Sequence, residues 1–143
     1  MNIRTMKLED MEALDKLYYQ FWQERSNLHL MCSTFLRLIN RDDYILLCAE
    51  VGQVVVGSIM GIVCEELYGD CRPFLVVENL VVDKESRGMR IGRALMDTVI
   101  ERAREKTCSQ VILVTESHRQ DACKFYESIG FHPTKNKGYK MKL

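Results

Sequence analysis

The chain has no net charge: Lys and Arg total 20, Asp and Glu total 20. No global field draws it to nucleic acid or to an anionic membrane, so any anion site has to be built locally. It also lacks a long apolar run. Its most apolar stretches, such as Val54 to Cys64, are too short to cross a bilayer and carry glycines. The opening, MNIRTMKLEDME, holds no signal-peptide core. Six cysteines, at 32, 48, 64, 71, 108 and 123, include no Cys-x-x-Cys pair and have no histidines at zinc spacing, so no metal is expected. Cys48 and Cys64 sit in strand-like apolar runs, where a thiol acts as a small hydrophobe. Reduced cysteines are the expectation for a cytoplasmic protein. Repeats, low-complexity segments and linkers are missing too. What is present is 143 residues, 47% apolar and 28% charged, which suits one globular domain over 1–143 with a core of its own.

Hydrophobic periodicity sets out the elements. Ile3 to Thr5 reads as a short strand. Leu8, Met11, Leu14, Leu17, Tyr18 and Phe21 recur at helical spacing, and a weaker helical pattern covers Leu28 to Ile39. Tyr44 to Glu50 and Val54 to Glu65 are apolar and β-branched, with a hairpin turn at Val51-Gly52-Gln53. Glu66 to Pro73 is a polar loop and Phe74 to Val82 another strand. Gly92 to Lys106 is an amphipathic helix with Leu95, Val99 and Ala103 on one face. Gln110 to Thr115 is a strand, and Gln120 to Ile129 is a helix stopped by Gly130. Tyr139 to Leu143 reads as a closing strand. The order β-α-α-β-β-β-α-β-α-β predicts an α/β fold with a mixed central sheet flanked by helices.

The most informative segment runs from Val81 to Leu95. An apolar strand ends, a polar turn follows, and a helix begins at Arg87-Gly88-Met89-Arg90-Ile91-Gly92-Arg93. A helix start offers unpaired N–H groups and the positive end of its dipole. Gly88 and Gly92 leave room for a phosphate to approach that backbone, and Arg87, Arg90 and Arg93 add positive charge. A glycine pair alone would be an ordinary strand–helix connection. Here the context and the convergent arginines favour an anion site.

This segment resembles the coenzyme A motif of GNAT acetyltransferases, Gln/Arg-x-x-Gly-x-Gly/Ala. Arg87 matches its first position and Gly92 its last, while Arg90 stands where Gly is usual. Ile3-Arg4 with Glu9-Asp10 is similar to the family's opening, and Glu78 to Asp83 to the strand before its motif. Ala122 to Phe131 resembles the late Ala-x-x-Phe-Tyr-x-x-x-Gly-Phe segment. The resemblance covers nearly the whole chain. It implies acetyl-coenzyme A as cosubstrate, with the backbone of Leu80, Val81 and Val82 pairing with the pantetheine arm. The N–H groups of Gly88, Met89, Arg90, Ile91, Gly92 and Arg93 would hold the pyrophosphate. Arg119 occupies a position where an Asn often touches the cofactor.

Acetylating an amine raises two proton problems: the ammonium must lose a proton, and the departing thiolate is helped by gaining one. Glu78, in the apolar run Phe74 to Val82, is the base candidate. Partial desolvation in such a strand would make it a better base. Against this stands a solvent-facing structural charge. Tyr126 is the acid candidate that the resemblance implies; against it stands a core aromatic beside Phe125 and Phe131. His118 is a weaker base, and no cysteine has a nucleophile's partners. Tyr18, Phe21 and Trp22 suit an acceptor pocket or a helix core face equally. The two early helices and the Glu65 to Pro73 loop, with Glu65, Glu66 and Asp70, are expected to shape that pocket. The resemblance thus implies direct N-acetyl transfer to a primary amine on a small molecule or a protein. Arg90 and Arg119 motivate the alternative of a non-catalytic acyl-coenzyme A-binding or sensing module. Neither a nucleic acid nor a membrane is an expected partner, and a homodimer is left open.

Overall fold

The computed structural model describes residues 1–133 and 137–143. Two hairpin-linked strands lie at its centre. β2 (Tyr44–Val51) and β3 (Val54–Cys64) pair antiparallel, with Val51 opposite Val54. Only Gly52 and Gln53 separate them, at φ 54° and 67°. Positive φ at both positions marks the type I′ turn whose twist matches a two-residue hairpin. β1 (Asn2–Thr5) pairs with β2, and β4 (Phe74–Val82) with β3, both antiparallel. A short β5 (Val111–Leu113) follows, giving the order β1-β2-β3-β4-β5 in one five-stranded mixed sheet.

The central strands are buried almost continuously because both faces of the sheet are covered. Leu46 and Cys48 face α1 (Met11–Trp22) and α2 (Leu28–Leu38), joining Met6, Met11, Leu14, Leu17 and Phe35 in one core. Ile45, Leu47 and Ile59 point the other way. There α3 (Ile91–Glu105) buries Ile91, Leu95, Val99 and Ala103, a stripe at helical spacing. Two glycines admit α3. A Cβ on Gly57 would stand 3.1 Å from Ile91 Cγ2, and one on Gly61 would stand 2.9 Å from Val99 Cγ2. β3 therefore touches α3 by its backbone.

At the chain's start Arg4 holds Asp10 through two hydrogen bonds of 2.8 and 2.9 Å and Glu50 through one of 2.8 Å. Burial works to raise the Asp10 pKa. The Arg4 hydrogen bonds, the Lys7 N–H (2.7 Å) and the Arg4 charge outweigh it and hold the carboxyl below its usual range. Burial pushes the neighbouring Cys48 thiol up to about 11, helped by the Asp10 charge. All six cysteines are free, and Cys48 is a buried hydrophobe rather than a nucleophile.

The chain's contacts divide it into residues 1–112 and 113–143. In the second unit α4 (Gln120–Ser128) ends as the sequence indicates: Gly130 has φ 103°. Phe131 N reaches Tyr126 O (3.1 Å) and Gly130 N reaches Glu127 O (3.1 Å), the paired bonds of a Schellman stop. The closing strand expected at Tyr139 to Leu143 is not there: the segment is exposed and has no regular structure. Alternation supplied one apolar face, but the segment pairs with no strand among the described residues, and an unpaired strand has nothing to satisfy its backbone. No helix among the described residues is long and apolar enough to cross a membrane, and none of their His, Cys, Asp and Glu side chains cluster as metal ligands would.

Candidate active site

β4 carries the geometry that matters. On β3, Ser58 faces Val81 and Met60 faces Glu78, so one residue (Ile59) stands opposite two, Asn79 and Leu80. That is a β-bulge, and Asn79 takes it up at φ 52°. Asn tolerates this left-handed conformation better than most residues. The bulge puts Glu78 and Val81, three residues apart, on the same face as Met60 and Ser58, the face that α1 and α2 cover. Glu78 is exposed there, so the desolvation expected from its apolar neighbours is absent. Val77 and Leu75 take the buried positions.

The other edge of β4 is open beyond the bulge. Leu75 N donates to Gln110 O (3.0 Å), which sets β5 beside the first half of β4. With three residues in β5 against nine in β4, no strand among the described residues lies along this second edge at Asn79–Val82. An extended, amide-bearing ligand can add there as a strand.

After Val82 the turn enters α3 at Ile91. The helix N-cap is Arg90, at φ 60°, with no side-chain cap bond. The sequence marks Arg90 as the departure from a glycine, and the structure puts it in the glycine conformation nonetheless. Gly88 is at φ 82°, and open space surrounds its missing Cβ. The first bond at this end runs from Ala94 N to Arg90 O (3.0 Å). Among the described residues nothing accepts from the N–H groups of Ile91, Gly92 and Arg93. Arg87, Met89, Arg90 and Arg93 are exposed around the turn. Arg87 lies over the Phe21 ring (5.4 Å to its centroid), and Arg93 pairs with Asp97 at 2.8 Å. Unpaired amides, an aligned dipole and arginines fit a diphosphate, and the open β4 edge fits a pantetheine arm. The residues present therefore suit coenzyme A.

Sequence reasoning did not find the anchor of this turn. Gln20 on α1 donates to Asp83 Oδ2 (2.7 Å) and accepts from Lys84 N (3.2 Å), while Asp83 Oδ1 accepts from Glu85 N (2.9 Å). A glutamine on a helix's polar side carries no signal of so distant a partner.

A cavity of about 310 Å³ opens between α1, α2 and the sheet, with Tyr18, Met31, Phe35, Met60 and Asn79 among its walls. Tyr18 thus lines a pocket, whereas Phe21 supports Arg87 and Trp22 is exposed, edge-on to Tyr18. None of the Glu65 to Pro73 residues lines this cavity. Glu66 instead accepts from its own loop's N–H groups, at Leu67 (2.8 Å) and Tyr68 (3.2 Å). Burial raises the Tyr18 hydroxyl above the usual phenol range, although a hydrogen bond with Ser58 works against it.

In the second unit, Tyr126 on α4 is half-buried and edge-on to Phe125 (5.3 Å) and Phe131 (5.9 Å). Arg119 is the N-cap of α4. His118 is exposed, 3.4 Å from Glu116.

Residues 8–131 match the model of the family described as Acetyltransferase (GNAT) family. The chain belongs to the GNAT family. It is 37% identical over 87 residues to a probable N-acetyltransferase family 8 member 5 of Mus musculus, covering 60% of this chain and 37% of that protein. It spans between a quarter and about half of the length of such curated relatives. A putative acetyltransferase from Agrobacterium tumefaciens has the same fold, with TM-score 0.92 and 23% identity over all of both chains. So has AAC(6')-Iy, solved with the bisubstrate analogue CoA-S-monomethyl-acetylneamine: TM-score 0.82 and 18% identity over 99% of this chain and 97% of that one. The GNAT fold is thereby shown.

Proposed function

We propose that this chain is an acetyl-coenzyme A-dependent N-acetyltransferase, a single domain over 1–143 that acetylates a primary amine by direct transfer in a ternary complex. The observation that carries the proposal is the run of unpaired amides at Ile91–Arg93, directly downstream of a strand whose edge is open from Asn79 to Val82. The bound thioester supplies an acetyl group on a good leaving group. The chain's residues do the rest. Backbone N–H near Leu80 donates to the thioester carbonyl oxygen as it gains charge. Glu78 takes a proton from the ammonium, through water given its exposure. The freed amine forms the new C–N bond, the C–S bond breaks, Tyr126 gives the leaving sulfur its proton, and the extra proton on the nitrogen returns through water to the Tyr126 oxygen, leaving the neutral amide.

Support for Glu78 is its place beside the bulge on the cavity's face of the sheet; support for Tyr126 is the Ala122 to Phe131 resemblance. The motive for a non-catalytic reading weakens, because Arg90 keeps the conformation a glycine would have. A cytoplasmic site of action belongs to the same proposal. The test is thiol release from acetyl-coenzyme A with Tyr126→Phe. The expected result is a kcat fall of about 100-fold or more with an unchanged Kd for acetyl-coenzyme A by calorimetry. Unchanged turnover removes Tyr126 from the chemistry.

A further inference from the structure

The cavity's chemistry narrows the acceptor, given the acetyltransferase reading above, on which the narrowing rests. Its walls hold no Asp, Glu, Lys, Arg or His among the described residues. Leu14 comes from α1, Leu30, Met31, Phe35 and Leu38 from α2, and Met60 from β3. The side-chain oxygens at the α2 side already accept hydrogen bonds from their own helix. Asn27 Oδ1 accepts from Leu30 N (3.1 Å) as the helix cap, and Thr34 Oγ1 accepts from Arg37 (3.1 Å). Polar groups open to a ligand gather at the opposite end. There Tyr18 and Asn79 line the wall, and the buried Ser58 hydroxyl stands behind them, 3.4 Å from the Asn79 carbonyl oxygen. That end is the β4 bulge, one residue from Glu78. The cavity is therefore two-ended, polar at the bulge and apolar at α2.

We infer that the acceptor is a small primary amine bearing one uncharged apolar group, seated amine-first against the β4 bulge with that group against α2. A second ammonium in the α2 end would lie against apolar side chains with no carboxylate to pair with, which costs more than an apolar group gains there. A volume of about 310 Å³ lies at the small end of the usual range for ligand sites, so it suits a single aryl or branched alkyl group. Met11, Met31 and Met60 line it. Flexible thioethers adapt to shape, which makes the class broad in outline and strict in polarity. Leu30, 59% exposed, forms part of the α2 wall without holding up the core.

One isosteric pair and one truncation pair test this by thiol release from acetyl-coenzyme A. n-Pentylamine and 1,4-diaminobutane differ by a terminal methyl against an ammonium; 2-phenylethylamine and ethylamine differ by the ring. Expected are a kcat/KM ratio of about 100-fold or more for the first pair, and about 10- to 100-fold in favour of 2-phenylethylamine for the second. Leu30→Glu should cut the first ratio about tenfold and Leu30→Lys should widen it, both with the KM for acetyl-coenzyme A unchanged. Transfer to 1,4-diaminobutane as fast as to n-pentylamine overturns the apolar class but leaves the acetyltransferase reading standing. So does acetyl-coenzyme A binding with transfer to none of the four. Absence of acetyl-coenzyme A binding in calorimetry overturns the acetyltransferase reading itself.

Discussion

Arg90 shows what one residue can be made to do. A side chain in the left-handed region costs about 1–2 kcal/mol, and Arg90 accepts that at φ 60° as the N-cap of α3. The turn needs this conformation to aim the first amides of the helix outward. Arg90→Gly is therefore expected to be about 1 kcal/mol more stable than Arg90→Ala in urea denaturation, both having lost the same charge. Equal stabilities would mean that the backbone relaxes elsewhere. Asp10 gives a second prediction at this scale. Its pKa is held below the usual carboxylate range, so its ionised form stabilises the fold above the ordinary carboxylate pKa. That contribution is lost as pH falls through the lowered value. Asp10→Asn should cost about 2 kcal/mol at pH 7, a difference that shrinks below about pH 4. A gap that stays constant into acid would show the carboxylate charge to be irrelevant.

Among elements, the sheet and its helices were legible because each has a periodic pattern and a punctuation mark. Gly52 opened the hairpin, Gly130 stopped α4, and the α3 stripe of Leu95, Val99 and Ala103 became its buried face. Asn79 is the instructive case. An Asn within the apolar run Phe74 to Val82 is a trace of positive φ, yet strand periodicity alone cannot say that the ladder slips there. The closing strand failed for the complementary reason: Tyr139, Met141 and Leu143 alternate but have no neighbouring edge to join among the described residues. The contact between β3 and α3 was invisible too, since only the coordinates show what stands above Gly61. Gly61→Ala is expected to cost about 1–3 kcal/mol, because its Cβ would meet Val99 Cγ2 at 2.9 Å and Leu75 Cδ1 at 3.2 Å. A Tm within error of the parent's would show that α3 can step back freely.

For the whole molecule, the family and the proposed anion-binding turn could be read from the sequence, whereas the cavity was legible only as far as the two early helices that wall it. The proposed cofactor side is one contiguous segment, β4 with the turn and the start of α3. The cavity draws on α1, α2, β2, β3 and β4, and its polarity emerges only when those elements are assembled. Glu78 stood out by its oddity in an apolar run, but its exposure removes the desolvation expected there. Gln20 ties α1, which lines the cavity, to Asp83 and Lys84 ahead of the turn, so the cavity and the turn are mechanically joined. The central claim is that the amides opening α3 hold a diphosphate. The most direct measurement is an amide-resolved NMR titration with coenzyme A. The account predicts that the largest saturable shifts fall on Ile91, Gly92 and Arg93, with Asn79 to Val82 next. Saturable shifts confined to other segments, or none at all, would contradict it.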